Sequence, residues 1–252
     1  MILAPGPALR QSVAFDGIGV VFLPPMADQT LYQSPALRVV LRAGSVAMIA
    51  EGPHVCLSHA PYRGAMRAAR SVVIHETRND ELSLDVDPIA LLATRMAAID
   101  PHGVGMLTSR RVAAAMVNAS QADNVRAVAL VTAGLSNALR VGDTPGPLAG
   151  WGTINIACHV DVPLSTPALI EALAIAVEAR TSAVIDARVR SRRSAGHATG
   201  TGTDCIAILA PRHAQSRALY AGKHTAIGHV IGDAVLRATE TAIANWQAEQ
   251  PG

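Results

Sequence analysis

The chain is poor in the residues that let a protein be classified at a glance. It has three cysteines in 252 residues. Cys56, Cys158 and Cys205 lie far apart, each in an apolar run, and no Cys-x-x-Cys pair occurs. That excludes a disulfide framework and argues against thiolate-bound zinc; buried, reduced thiols are expected. The nine histidines contain no His-Glu-x-x-His, and His54 and His59 would point their rings to opposite faces of a strand, so no metal is expected. Aromatic residues are only 3% and the formal net charge is +2. A nucleic-acid binder usually carries a basic stripe, often with stacking rings, and neither is present on a large scale. Half of the chain is hydrophobic, but much of that is alanine, and no apolar run reaches the roughly 18–20 residues that span a bilayer. The sequence does not open on a basic segment followed by an apolar core, so neither a signal peptide nor membrane insertion is expected, and a cytoplasmic location is.

What is there alternates between two periodicities. Short apolar runs bounded by Gly and Pro read as strands: Val20–Leu23, Leu37–Leu41, Ser45–Ile49 and Ser71–His75. Their short connections predict an N-terminal antiparallel meander. Beyond them, Asp87-Pro88 has the form of a helix cap with proline in the first turn, opening a helix to about Ala98. Val104–Thr108, Arg126–Thr132, Thr153–His159 and Cys205–Leu209 read as further strands, and Arg110–Val117 as a short helix. Thr166-Pro167 opens a helix with Leu169, Leu173, Val177 and Arg180 on one face. The longest helix runs from Thr225 to about Trp246, with Ile227, Ile231, Val235, Ala238 and Ala242 on one stripe. Arg78–Glu81 and Arg188–His197 read as surface loops. No internal repeat or long linker appears. The expectation is one α/β (mixed α+β) domain over residues 1–252, with a mixed sheet, the meander and flanking helices.

The chemistry-bearing segments are few. Thr199-Gly200-Thr201-Gly202-Thr203-Asp204 is a polar turn entering a strand. Its glycines permit positive φ, so its successive N–H groups are candidates for an anion-binding nest. It is no P-loop, lacking Gly-Lys-Ser/Thr and a following helix. An ordinary turn bonded to itself is the plainer alternative. His224 stands at the mouth of the last helix; the stripe Gly228, Ile231, Val235 predicts a ring pointing inward, kept neutral by the helix N-terminus and so fit to be a base. Ser136, in Gly134-Leu135-Ser136-Asn137, follows a strand but lacks the Gly-x-Ser-x-Gly elbow. Asn155 faces opposite Ile154 and Ile156 and needs polar partners. Glu178 flanks an apolar helix stripe, where a solvated charge is the commoner role. Arg188, Arg190, Arg192 and Arg193 form a basic cluster that is either solvated or a rim for an anionic part of a ligand.

These segments together resemble the adenosylcobinamide amidohydrolases of cobamide salvage. The resemblance is carried by Gly103–Ser109, by Val131–Ala138 with Arg140 and Gly142-Asp143, and by Gly152–Ile156. Glu178–Thr181, Ala198–Asp204 and Tyr220–Thr225 with Ile227-Gly228 complete it, in the family's order across roughly residues 100–240. The first hundred residues match only loosely, with Leu57-Ser58-His59-Ala60 where an asparagine-containing turn is expected. The resemblance implies hydrolysis of the amide joining the aminopropanol arm to the corrin ring, giving adenosylcobyric acid. It implies His224 as base, Asp204 orienting it or a water, and Lys223 as proton donor or phosphate contact. Ser136, Asn137, Asn155, Glu178, Thr199, Gly200, Thr201, Gly202 and Thr203 would hold the substrate, with Asn155 or the Gly200–Thr203 amides at the oxyanion. The corrinoid would be substrate, with no cofactor, no nucleic acid and no membrane as partner; a homo-oligomer is compatible with the alanine-rich chain. A corrinoid-binding or sensing protein without hydrolysis, or another small-molecule hydrolase, would use the same segments.

Overall fold

The computed structural model describes residues 28–81, 86–147, 151–212 and 217–250; the strand expected at Val20–Leu23 lies outside them. Two sheets are stacked face to face, with helices on both outer surfaces. The first sheet contains β1 (Gln29–Gln33), β2 (Leu37–Arg42), β3 (Ser45–Ala50), β6 (Ser71–Glu76) and β7 (Val104–Thr108), in the order β1-β2-β3-β6-β7. The second contains β4 (His54–Ser58), β5 (Ala65–Ala68), β8 (Met116–Ala122), β9 (Val125–Ala133), β11 (Ile154–Val160) and β13 (Cys205–Pro211), in the order β5-β4-β13-β11-β9-β8. Two short strands, β10 (Ala138–Leu139) and β12 (Gly200–Thr201), pair separately. The meander is therefore real over β1-β2-β3, but the chain then leaves for the second sheet before β6 returns to β3. The single mixed sheet expected from sequence is two mixed sheets. Each holds one parallel pair, β6–β7 and β11–β13, bridged by α1 (Pro88–Ile99) and α2 (Thr166–Asp186), as parallel strands require a long crossover.

Alternation decides the layers. Val39, Val46, Met48, Val72, Ile74, Val104 and Met106 of the first sheet meet Cys56, Val128, Leu130, Ala157, Ala207 and Leu209 of the second in one cluster. The opposite faces of those strands serve the helices. Ala47 and Val73 pack on Leu92 and Met96 of α1, one turn apart on its face. Ile154, Ile156, Ile206 and Ile208 pack under α2 and α3 (Ala226–Ala248). Alanines 168, 172, 176, 179 and 183 of α2 are buried there, and their small size lets the helices lie close to the sheet. Caps follow the expected chemistry: Asp87 accepts from Ile89 N at 2.8 Å and Thr225 Oγ1 from Gly228 N at 2.9 Å, while Ser165, one residue before the expected cap, accepts from Ala168 N at 3.2 Å. The helix expected at Arg110–Val117 is only a single turn, Val112–Ala114, followed by β8; Val117 lies instead in that edge strand.

Three histidines are built into this core as neutral groups. His54 and His159 approach Nε2 to Nε2 at 3.1 Å between strands, and His75 Nε2 lies 3.3 Å from Met96 Sδ. Burial, reinforced by His54, pushes His159 down to about 3. Burial, reinforced by the Arg95 charge, pushes His75 down to about 4. Burial also lowers His54, against the pull of the Gly52 carbonyl. The unfolded chain protonates His159 and His75 near pH 6.5, whereas the folded chain does so only at about 3 and about 4. Their contribution is therefore intact above pH 6.5 and is lost as pH falls from there toward 3–4, at about 1.4 kcal/mol per pH unit per ring. Thermal unfolding followed between pH 7 and pH 4 should show a steepening fall in Tm, reduced in His75→Gln; a flat profile would contradict it.

Candidate active site

One end of the sandwich gathers the polar segments. β4 runs antiparallel to β13, with Ser58 opposite Ala207, so the residue after β4, His59, arrives at the start of β13. β9 runs antiparallel to β11, with Ala133 opposite Ile154, so Gly134–Asn137 arrives there too. β6 and β7 end at the same place in the first sheet. Between them lies a cleft of about 520 Å3. Its walls include His59, Pro61, Thr77, Leu107, Thr108 and Ser109; Trp151, Gly152 and Thr153; Thr203, Asp204 and Cys205; and Pro88 and Ile89 from the start of α1.

Asp204 is the hub of this end, and its carboxylate is already fully engaged. Oδ1 accepts from Ile154 N at 2.9 Å and from the Thr201 hydroxyl. Oδ2 accepts from Thr201 N at 2.9 Å and from Arg180 Nη1 at 2.6 Å. The same Arg180 nitrogen donates to Thr199 O at 2.8 Å. The side chains of this ion pair are 13% and 6% exposed. The glycine-threonine turn thus wraps its own aspartate, and Thr201 N–H serves that carboxylate; the anion nest expected from the alternating glycines is filled internally. Neither Gly200 nor Gly202 uses positive φ. Gly200 is required for space, since a Cβ there would collide with the Arg180 guanidinium and the Asp204 carboxylate. Two further bonds, Thr153 Oγ1 to Thr203 O at 2.9 Å and Thr203 Oγ1 to Gly152 O at 3.1 Å, lock the turn to the start of β11.

The histidine at this site is His59. Its Nε2 lies 3.1 Å from the backbone carbonyl of Asp204. A carbonyl only accepts, so Nε2 carries the hydrogen and Nδ1 keeps its lone pair. Cys205 also lines the cleft, so the expectation that all three thiols are inert core groups holds for Cys56 and Cys158 but not by position for Cys205. Burial, helped by the Asp204 charge, raises Cys205 to about 11, so it is a thiol rather than a thiolate nucleophile at neutral pH.

The structure does not bring His224 or Lys223 to this cleft. Thr225, extended at φ −99° and ψ 151°, is the N-cap of α3. His224 therefore precedes the helix, and the helical spacing that aimed its ring inward does not apply to it; it is exposed. Lys223 pairs instead with Glu178, both solvent-exposed. Ala221 N is bonded to Glu171 Oε2 at 2.6 Å, roughly 13 Å along α2 from the Arg180 that grips Asp204. The expected Asp204–His224 partnership is thus not formed.

Among the other expected substrate contacts, Thr203 lines the cleft with Asp204. Thr199, Gly200, Thr201 and Gly202 build the turn behind it. Ser136 and Asn137 back the Gly152 wall, where a Cβ on Gly152 would strike Asn137 Oδ1 and Ser136 N. Asn155 is fully buried and ties the two sheets together through Nδ2 to Leu107 O at 2.7 Å. Its Oδ1, the hydroxyl of its strand neighbour Thr132 and Asn137 Oδ1 have no protein partner. Unpaired buried oxygens are costly, and their grouping marks this end as the polar one. His59, Ser109 and Trp151 were missed from sequence; the only available signal was that His59 follows a strand directly. Among the described residues, no three His, Cys, Asp or Glu side chains converge as metal ligands, and no helix is long and apolar enough to cross a membrane.

Comparison with known proteins gives a family. The model of the adenosylcobinamide amidohydrolase family matches residues 29–251. An uncharacterized protein of Methanocaldococcus jannaschii, MJ1613, is 31% identical over 141 residues, covering 48% of this chain; the chain spans about half, 54%, of that relative's length. Among solved structures, the PH0078 protein of Pyrococcus horikoshii OT3 aligns over 88% of this chain and 83% of its own, at 13% identity and a TM-score of 0.39. The L-aminopeptidase D-Ala-esterase/amidase of Ochrobactrum anthropi, described as a variant of the Ntn hydrolase fold, aligns over 86% and 82%, at 12% identity and a TM-score of 0.38.

Proposed function

The chain belongs to the adenosylcobinamide amidohydrolase family, and from that premise we propose that its cleft hydrolyses the amide between the aminopropanol arm and the corrin ring of adenosylcobinamide. The products are adenosylcobyric acid and aminopropanol. The cobalt corrinoid enters as substrate. The observation that carries this reading is His59, seated in the cleft with Nε2–H fixed by the Asp204 carbonyl at 3.1 Å.

The steps follow from that tautomer. His59 Nδ1 takes a proton from a water as its oxygen attacks the amide carbon. The carbonyl oxygen becomes an oxyanion, for which the Ser109 hydroxyl on the cleft wall is the proposed donor. The C–N bond then breaks, and the His59 imidazolium returns its proton to the departing amine. Cys205, raised to about 11 by burial and the Asp204 charge, stays a thiol and does not compete as nucleophile. A cleft of about 520 Å3 takes the amide arm and one edge of the macrocycle. The remaining ring lies against Trp151 and Ile89, which are 42% and 54% exposed at the mouth and present flat apolar surface.

The test is chemical. Incubation with adenosylcobinamide should yield a corrinoid bearing one new carboxylate, together with free aminopropanol, both identified by mass spectrometry. Tight binding without either product would replace the hydrolase with a corrinoid-binding protein.

A further inference from the structure

We infer that a second pocket, at the C-terminal ends of α2 and α3, binds a small phosphate-bearing aromatic ligand of the nucleotide class. This stands apart from the reaction proposed above, because no residue of the cleft lines it. The pocket has a volume of about 370 Å3, and its walls include Leu135, Arg188, Arg190, Arg192, Trp246 and Gln247. That size falls within the range of small-molecule sites.

The charge of this pocket is uncompensated. Arg188, Arg190 and Arg192 are all exposed, and among the described residues none of them forms an ion pair. None of the acids nearby pairs with these guanidinium groups. Asp143 accepts from Ser191 Oγ and from Arg140 N, Glu249 is held by Arg110, and Asp186 ends α2 without an ion-pair partner. Three like charges on one short loop repel, and an anion between them removes the repulsion.

The loop is also mounted rather than loose. Ser191 N bonds Gly196 O at 3.0 Å, Arg192 N bonds Ala138 O at 3.0 Å, and Ala198 N bonds Val189 O at 2.8 Å. Arg188 is itself in the left-handed region, at φ 53°, one residue past the Ala187 cap of α2. Glycine is the usual residue at that position because a Cβ is disfavoured there. An arginine in its place spends backbone strain on a side chain that faces the pocket.

The aromatic partner is Trp246. The chain has only two tryptophans; Trp151 lines the cleft and Trp246 this pocket. Guanidinium groups bind phosphate oxygens in paired hydrogen bonds, and an indole stacks on a base with little preference for sequence. A nucleoside monophosphate supplies both, whether free or as the nucleotide arm of a larger molecule.

Isothermal titration of the full chain with AMP, adenosine and inorganic phosphate tests the assignment. AMP should bind about tenfold or more tightly than adenosine, and weaken as salt is raised. Arg190→Ala with Arg192→Ala should cut AMP affinity about tenfold or more at unchanged Tm, since both side chains are exposed. Trp246→Leu should weaken AMP while leaving inorganic phosphate unaffected. A corrinoid carrying a nucleotide arm, added as competitor, identifies that arm as the natural source if it displaces AMP and a free nucleotide if it does not. No heat with AMP at about millimolar concentration, equal binding of AMP and adenosine, or a double arginine variant within about twofold of the parent would overturn the site.

Discussion

Replacement of His59 by alanine is expected to lower kcat on adenosylcobinamide by about 10²–10⁴-fold, the range lost with a general base. KM should change little, because the ring is placed to move a proton rather than to hold the corrin. The fold should survive, because His59 is exposed and its one recorded bond is to the Asp204 carbonyl. His224→Ala is the matched control. His224 lies before the cap of α3 and outside the cleft, so its loss should leave the rate within about threefold. The opposite pattern, with His224 essential and His59 dispensable, would remove the base from the cleft and with it the proposed mechanism.

Asp204→Asn should be the most damaging single substitution to stability at this end. The amide keeps one acceptor oxygen, but its NH2 faces the Ile154 N–H in one orientation, or Arg180 Nη1 and the Thr201 N–H in the other, and these donors need an acceptor. Arg180, 13% exposed at its side chain, is left without a counter-charge. Breaking a buried pair from one side costs about 3–5 kcal/mol, which for a chain of this size is a fall in Tm of roughly 10 °C. Activity should fall as well, because the carbonyl of the same residue sets the His59 tautomer. Adding Arg180→Met should restore part of the stability, since the stranded charge is gone. It should not restore kcat, because the turn carrying that carbonyl loses its anchor. A single variant within about 1 kcal/mol of the parent, by thermal or denaturant unfolding, would show that the carboxylate is not the clamp described here.

The two substitutions separate roles that the sequence merges. In the linear chain, Asp204 and His224 are the conspicuous pair, an acid and a histidine flanking one strand. The structure gives Asp204 four donors and places in the cleft a histidine that follows a different strand. His59 and Asp204 are 145 positions apart. Nothing in the pattern around His59 distinguishes it from His54 five residues earlier, yet His54 is buried against His159 at the far end of the same strand. Glu178 and Lys223 likewise drew notice as site residues and form an exposed surface pair, of the kind that contributes about 0–1 kcal/mol.

By itself the sequence determined the elements. The short apolar runs at Leu37–Leu41, Ser45–Ile49 and Arg126–Thr132 became strands, and the 3.6-period stripe from Ile227 to Ala242 became the buried face of α3. Asp87 and Thr225 ended their helices as their side chains dictate. These outcomes rest on interactions within a few residues, which local sequence encodes. The motifs also carried the family. The tertiary structure alone decided that one expected sheet is two, that the glycine turn folds on its own aspartate, and that His59 rather than His224 stands at the cleft. Each of those depends on strand order and on which ends of which strands coincide. Burial of whole faces sets that order, and a face does not record in its own residues which other face it will meet.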